Sequence, residues 1–131
     1  NHIMNHMEDV RALRTDTQNH YNCCQSVLMP FAQEMGLTRE QAQALGAHFG
    51  SGMRHGATCG ALSGALMVLG GLGYGEQEAR ELIRTFRQKH GATECAALLK
   101  ASHERGEARK DHCDGLVYEI IETLSQLHSK Q

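Results

Sequence analysis

Thr58-Cys59-Gly60-Ala61-Leu62-Ser63-Gly64-Ala65-Leu66-Met67-Val68-Leu69, closed by Gly70-Gly71, is the stretch whose reading decides the fold. Its apolar residues recur at three- and four-residue spacing, with Leu62, Leu66 and Leu69 as the core stripe, and the glycine pair stops it, so it reads as a helix over 58–69. No charged residue falls between Gly56 and Gly75. A membrane span would explain that, but about 12 helical residues reach only roughly 18 Å against a hydrocarbon core of about 30 Å. The expectation is a central buried helix with no membrane span. Gly60 and Gly64 each cost about 1 kcal/mol inside a helix, and their small-xxx-small spacing predicts a neighbouring backbone at contact distance.

The same periodicity extends outward from this helix. Further helices are expected at 7–15, 23–35 with a bend at Pro30, 39–48, 76–89, 94–101 and 112–128, and runs of alternating β-branched residues are absent. Thr38 with Gln41 forms a capping box, and Gly36 ends the preceding helix. The fold class is all-α, a compact bundle of six or seven helices. Residues 1–19 are taken as an N-terminal segment with the first helix, and 20–128 as a single helical domain. The opening Asn1-His2-Ile3-Met4-Asn5-His6-Met7 is read in part as a cloning remnant and is given no functional weight.

With 131 residues the chain suffices for one domain with a real core. A net charge of −2 with scattered Lys and Arg offers no basic face, which argues against nucleic acid and anionic membranes as partners. No signal-peptide pattern opens the sequence, and five cysteines, an odd number, do not suit a secreted disulfide scaffold. A cytoplasmic, thiol-preserving compartment is expected.

Four of those cysteines carry the chemistry. Cys23, Cys59, Cys95 and Cys113 each follow a helix-capping residue by one or two positions: Asn22, Thr58, Thr93 and Asp111. Unpaired N–H groups and the positive end of the macrodipole at a helix start favour a thiolate, the nucleophilic and metal-binding form of the side chain. Buried thiols that only fill space have no reason to prefer helix starts. Arg54 and His55 favour ionisation at Cys59, whereas Glu94, Asp111 and Asp114 oppose it at Cys95 and Cys113, so Cys59 is expected to be the most nucleophilic. Cys24 projects from another side of its helix, as core or as a spare thiol able to divert oxidation from Cys23.

The steps from Cys23 to Cys59 and from Cys59 to Cys95 are both 36 residues. Two stretches also resemble each other: Glu40-Gln41-Ala42 through Phe49 to His55-Gly56-Ala57-Thr58-Cys59, and Glu76-Gln77-Glu78-Ala79 through Phe86 to His90-Gly91-Ala92-Thr93-Glu94-Cys95. A helix-hairpin duplication would return thiols to equivalent places.

The chemical rival is a zinc or iron site. Each cysteine has a histidine within five residues upstream, His20, His55, His90 or His112, and the ligand set would be Cys23, Cys59, Cys95 and Cys113 with His20, His55 and His112. No Cys-x-x-Cys or His-x-x-x-His pair supports chelation. No cofactor is expected, with bound metal as the alternative.

Asn22-Cys23 with Gln25, Phe49-Gly50-Ser51-Gly52-Met53, Cys59-Gly60-Ala61-Leu62-Ser63-Gly64-Ala65-Leu66, then Cys95 and Cys113, together resemble the C-GCAxxG-C-C family of redox-active proteins over about residues 20–125. The resemblance implies a small prokaryotic all-helical protein whose four family cysteines match Cys23, Cys59, Cys95 and Cys113. Cys24 departs from it, since a small residue such as Ala is expected there. No substrate is implied.

The functional expectation is a thiol protein, and a candidate thiol oxidoreductase, that cycles cysteines between dithiol and disulfide with a redox partner protein or small oxidant. Cys59 is expected to attack, and Cys23 is the first choice to resolve. The alternatives are a Cys/His metal-binding or sensing module without turnover, and a homodimerisation domain using the glycine-rich helix as its interface.

Overall fold

Asn22 shows how the scaffold is tied together. Its Oδ1 accepts the Gln25 N–H at 2.8 Å while Gln25 Oε1 accepts the Asn22 N–H at 2.9 Å, closing a capping box at the start of α2 (Cys23–Leu28). Its Nδ2 donates to the carbonyls of Gly46 and Ala47, at 3.0 and 3.3 Å, at the end of α3 (Arg39–Gly46). One side chain thus caps one helix and joins it to another. At the other end of α3, Thr38 and Gln41 form the capping box expected from the sequence.

The computed structural model describes residues 5–129 and is all-α. Around α2 and α3 stand α1 (Asn5–Thr15), α4 (Gly60–Gly71), α5 (Glu76–His90), α6 (Cys95–Glu104) and α7 (Arg109–Ser129). The helix expected over 23–35 stops at Leu28, where Pro30 cannot supply an amide hydrogen, and continues as a 3₁₀ turn, Met29–Phe31. α4 lies at the centre, and its burial is wider than a stripe. Ala61, Leu62, Ala65, Val68 and Leu69 are all buried, whereas Leu66 is only partly so. Val27, Phe31, Val117, Ile120, Ile121 and Leu124 complete the core from α2, the 3₁₀ turn and α7.

The glycines of α4 fit the close approach predicted for them. A Cβ on Gly60 would stand 2.8 Å from the Phe49 carbonyl oxygen and 3.2 Å from Cys23 Cβ, and one on Gly64 would stand 3.1 Å from Val27 Cβ and 3.2 Å from the Cys24 oxygen. The neighbour is α2 of the same chain, so this stripe is not available as a homodimer interface. Among the described residues no helix is long and apolar enough to cross a membrane.

Asn1–Met4, part of the segment read as a cloning remnant, lies outside the described residues. His6, from the same segment, belongs to the fold. It is buried, stacks on Phe31 with ring centroids 4.0 Å apart, and places Nε2 2.5 Å from Glu34 Oε2 and Nδ1 3.3 Å from Ser125 Oγ.

The two similar stretches do not fold alike, because α3 has 8 residues and α5 has 15. They do meet. Ala57-Thr58-Cys59 runs antiparallel to Thr93-Glu94-Cys95, with the Cys59 N–H donating to the Thr93 carbonyl at 2.8 Å and the Cys95 N–H to the Ala57 carbonyl at 2.6 Å. Before this bridge the chain turns through Ser51, Gly52, Met53 and Arg54 in left-handed backbone, at φ 52°, 61°, 57° and 68°. Non-glycine residues there cost about 1–3 kcal/mol each. Gly52 is required, because a Cβ would stand 2.5 Å from the Ala57 nitrogen and 2.8 Å from Cys95 Cβ.

Candidate functional site

The local cap chemistry delivers the four cysteines to one place by different routes. Cys23 is the first residue of α2, after its Asn22 cap. Cys59 is itself the N-cap of α4, and Cys95 is the first residue of α6, after Glu94. Thr58 instead pairs with Glu94 in the bridge and Thr93 lends its carbonyl to Cys59, so neither is the cap it resembles. α7 begins at Arg109, so Cys113 lies one turn inside its helix and Asp111 does not cap it. All four line a single cavity of about 350 Å³. His20 and His112 also line it, whereas His55 stands exposed in the left-handed turn and His90 bonds Glu119 Oε2 at 2.9 Å in a different groove.

Within the cavity the sulfurs are unequal. Cys23 and Cys113 act on each other in opposite directions. Interaction with the Cys23 thiol, assisted by the nearby positive charges of Arg109 and Arg14 against the effect of burial, lowers Cys113 from the usual thiol range to about 6. The same interaction, with burial behind it, pushes Cys23 up. Cys59, only 5 % exposed, is raised by burial even though the amides of Leu62 and Ala61 at the start of α4 pull the other way. Burial raises Cys95 as well. Burial raises Cys59 while Cys113 is lowered, which runs against the expectation that Cys59 is the most nucleophilic thiol. Arg54, expected to assist Cys59, instead donates to His48 Nδ1 at 2.9 Å.

Behind Cys113 lies a charge cluster. Arg14, with its side chain 8 % exposed, donates to Asp114 Oδ1 at 2.7 Å, to the Tyr21 carbonyl at 2.9 Å and to Ser26 Oγ at 3.2 Å. Lys110 donates to Asp114 Oδ2 at 2.7 Å and to the Arg14 carbonyl at 3.0 Å. Hydrogen bonds from both cations hold Asp114 below the usual carboxylate range against the opposing effect of its burial. Arg109 donates to Ser51 Oγ at 3.2 Å, joining α7 to the left-handed turn. His112 is kept neutral to lower pH by burial, and its Nε2 is sealed from solvent without a partner.

Arg14, Arg109 and Lys110 were not singled out from the sequence. The signal was there for Arg109, four residues before Cys113 on one helix face. Starting that helix at 112 instead of 109 hid it.

Among the described residues no group of three or more His, Cys, Asp or Glu side chains is disposed to hold a metal ion. Cys24 is fully buried against α4 and raised to about 11, first by burial. It behaves as core and is not poised as a spare thiol. In the folded, reduced protein Cys24 is expected to resist iodoacetamide while Cys23, Cys95 and Cys113 react, and to react once urea unfolds the chain. Mass mapping of the alkylated peptides checks this, and early labelling of Cys24 would contradict it.

No curated protein and no solved structure matches the chain. The model of the family described as "Putative redox-active protein (C_GCAxxG_C_C)" matches residues 21–127, which span the capped start of α2, the α4 glycines and all four cavity cysteines. The chain belongs to that family.

Proposed function

We propose that the cavity is a dithiol–disulfide exchange site in which Cys113 attacks and Cys23 resolves. The observation that carries this reading is that Cys23 and Cys113 line one cavity, where each shifts the other's thiol, Cys113 down and Cys23 up. The Cys113 thiolate attacks one sulfur of an oxidised substrate, forming a mixed disulfide and expelling a thiolate. Cys23 then gives up its proton and attacks Cys113 Sγ, expelling the second half of the substrate. One substrate disulfide is reduced and one protein disulfide is formed, and Cys23's proton leaves on one of the two product thiols. The proposal keeps Cys23 as the resolving residue, against Cys113 in place of Cys59.

Cys59 and Cys95 are a slower pair on this reading. They lie diagonally across the Thr58–Glu94 bridge, a relation that separates Cα atoms by about 7–8 Å. A disulfide needs about 7 Å or less, so joining them requires the bridge to shift.

Free-thiol counting on anaerobically reduced protein tests the assignment. A mild oxidant is expected to remove two thiols per chain first, mapped to Cys23 and Cys113, and dithiothreitol to restore both. Sulfinic acid on isolated cysteines, or stoichiometric metal protecting all four, would sink this reading and favour the metal-binding alternative.

A further inference from the structure

The charges around the four sulfurs differ from those of the chain as a whole. The sequence carries 15 acidic and 13 basic residues. The cavity nonetheless has Arg14, Arg109 and Lys110 in its wall and no carboxylate among the side chains that line it. The contrast with the next groove is sharp: between α5 and α7, Glu78, Glu81 and Glu119 stand among apolar side chains, with no Lys or Arg. Two of the three cavity cations are satisfied from behind, because Arg14 and Lys110 both bond Asp114. Arg109 has no carboxylate partner among the described residues; it donates to Ser51 Oγ, and its charge acts on Cys113, with which it shares the cavity wall. It stands exposed beside the sulfur proposed to attack.

The rest of the wall suits a small molecule better than a protein surface. The volume, about 350 Å³, is at the lower end of the range for small-ligand sites. Cys59 is almost wholly buried in the wall, and Cys23, Cys95 and Cys113 are half-buried. Leu98, Leu99 and Leu116 supply an apolar side. This is a concave site with apolar walls, a few fixed polar groups and one uncommitted cation.

We infer that the substrate class is a low-molecular-weight disulfide bearing carboxylates, drawn in by Arg109 so that its sulfur meets Cys113. The inference rests on the exchange chemistry proposed above and adds the identity of the oxidant to it. The Cys113 thiolate attacks one sulfur of the bound disulfide and the first carboxylate-bearing thiolate departs. Cys23 then closes the protein disulfide and releases the second, with its proton ending on one of the two products. The balance is one disulfide reduced for one formed, with no other reactant.

Alkylation isolates the charge preference from the exchange reaction. In the reduced protein, the ratio of iodoacetate to iodoacetamide rates at Cys113, each normalised to a neutral reference thiol, is expected to exceed that of the reference by about tenfold, the order set by one cation a few ångströms from the incoming anion. Half-molar salt should erase most of the excess. Arg109→Gln should bring the ratio to within about twofold of the reference. Because any change in Cys113 ionisation alters both rates equally, the ratio reports attraction alone. With disulfide probes normalised in the same way, oxidised glutathione should outpace the cationic disulfide cystamine by a similar factor. A ratio at or below the reference, or cystamine reacting as fast as oxidised glutathione, overturns the inference and returns the site to neutral oxidants or protein disulfides. Failure of the exchange chemistry would look different: no probe would yield a Cys23–Cys113 disulfide, whatever the alkylation ratio.

Discussion

Cys113→Ser is expected to lower the reaction of the native, reduced protein with iodoacetamide at pH 7 by about 100-fold. With its thiol lowered to about 6, Cys113 is roughly nine-tenths thiolate at that pH. An unperturbed thiol near 8.5 is about 3 % thiolate. With Cys113 gone, its own effect on the other thiols goes too, but burial still pushes Cys23, Cys59 and Cys95 up, so ionisation alone costs about 30-fold, and the burial of Cys59 extends the gap. The sign follows from the causes: the Cys23 thiol and the guanidinium groups stabilise the thiolate, so the wild-type rate should rise through a midpoint near pH 6 and flatten above 7. A midpoint at or above about 8.5, or a variant keeping more than a tenth of the rate, would assign the nucleophile elsewhere.

The second large effect is on stability. Gly60→Leu and Gly64→Leu should each lower the free energy of unfolding by about 1–3 kcal/mol, because new side-chain atoms must force α4 away from α2. At position 60 the obstacles are the Phe49 carbonyl and Cys23 Cβ, and at 64 they are Val27 Cβ and the Cys24 backbone. Leucine's better helix propensity returns under about 1 kcal/mol, too little to reverse the sign. Urea midpoints on the reduced proteins measure the loss, and unchanged midpoints in both variants would remove the close-packing account. Gly60→Leu should also slow alkylation of Cys113, since displacing Cys23 weakens the interaction that lowers the Cys113 thiol.

Much of this architecture was legible in the residues because local rules governed it. The Thr38–Gln41 box and the glycine contact of α4 follow from spacing within one element, whereas the stop expected at Gly70-Gly71 falls later, since α4 runs through both glycines to a cap at Leu72, with Gly73 in left-handed backbone. The convergence of four cysteines was legible as a set. Their ranking was not, because it depends on burial and on contacts between elements far apart in sequence: Cys59 has the helix-start amides that favour a thiolate, and burial outweighs them. Cys113 has none of the expected cap chemistry and is lowered instead by Cys23 and by Arg14. The left-handed run from Ser51 to Arg54 was equally hidden, since Met53 and Arg54 carry no sequence mark of positive φ.

The bridge between Ala57-Thr58-Cys59 and Thr93-Glu94-Cys95 makes residues 60–92 an excursion that leaves the site and returns to the same point. α5 lies wholly within that excursion and buries a single residue, Phe86. Both ends are clamped at the thiols by main-chain hydrogen bonds, which are indifferent to side-chain identity. Substitution on the outer face of α5, or a change of length in the Leu72–Gly75 connection, is therefore absorbed before it reaches the sulfurs. The chemistry of the cavity is insulated from sequence drift on the outer face of α5 and in its connection to α4, and that part of the chain is free to be shaped by other demands.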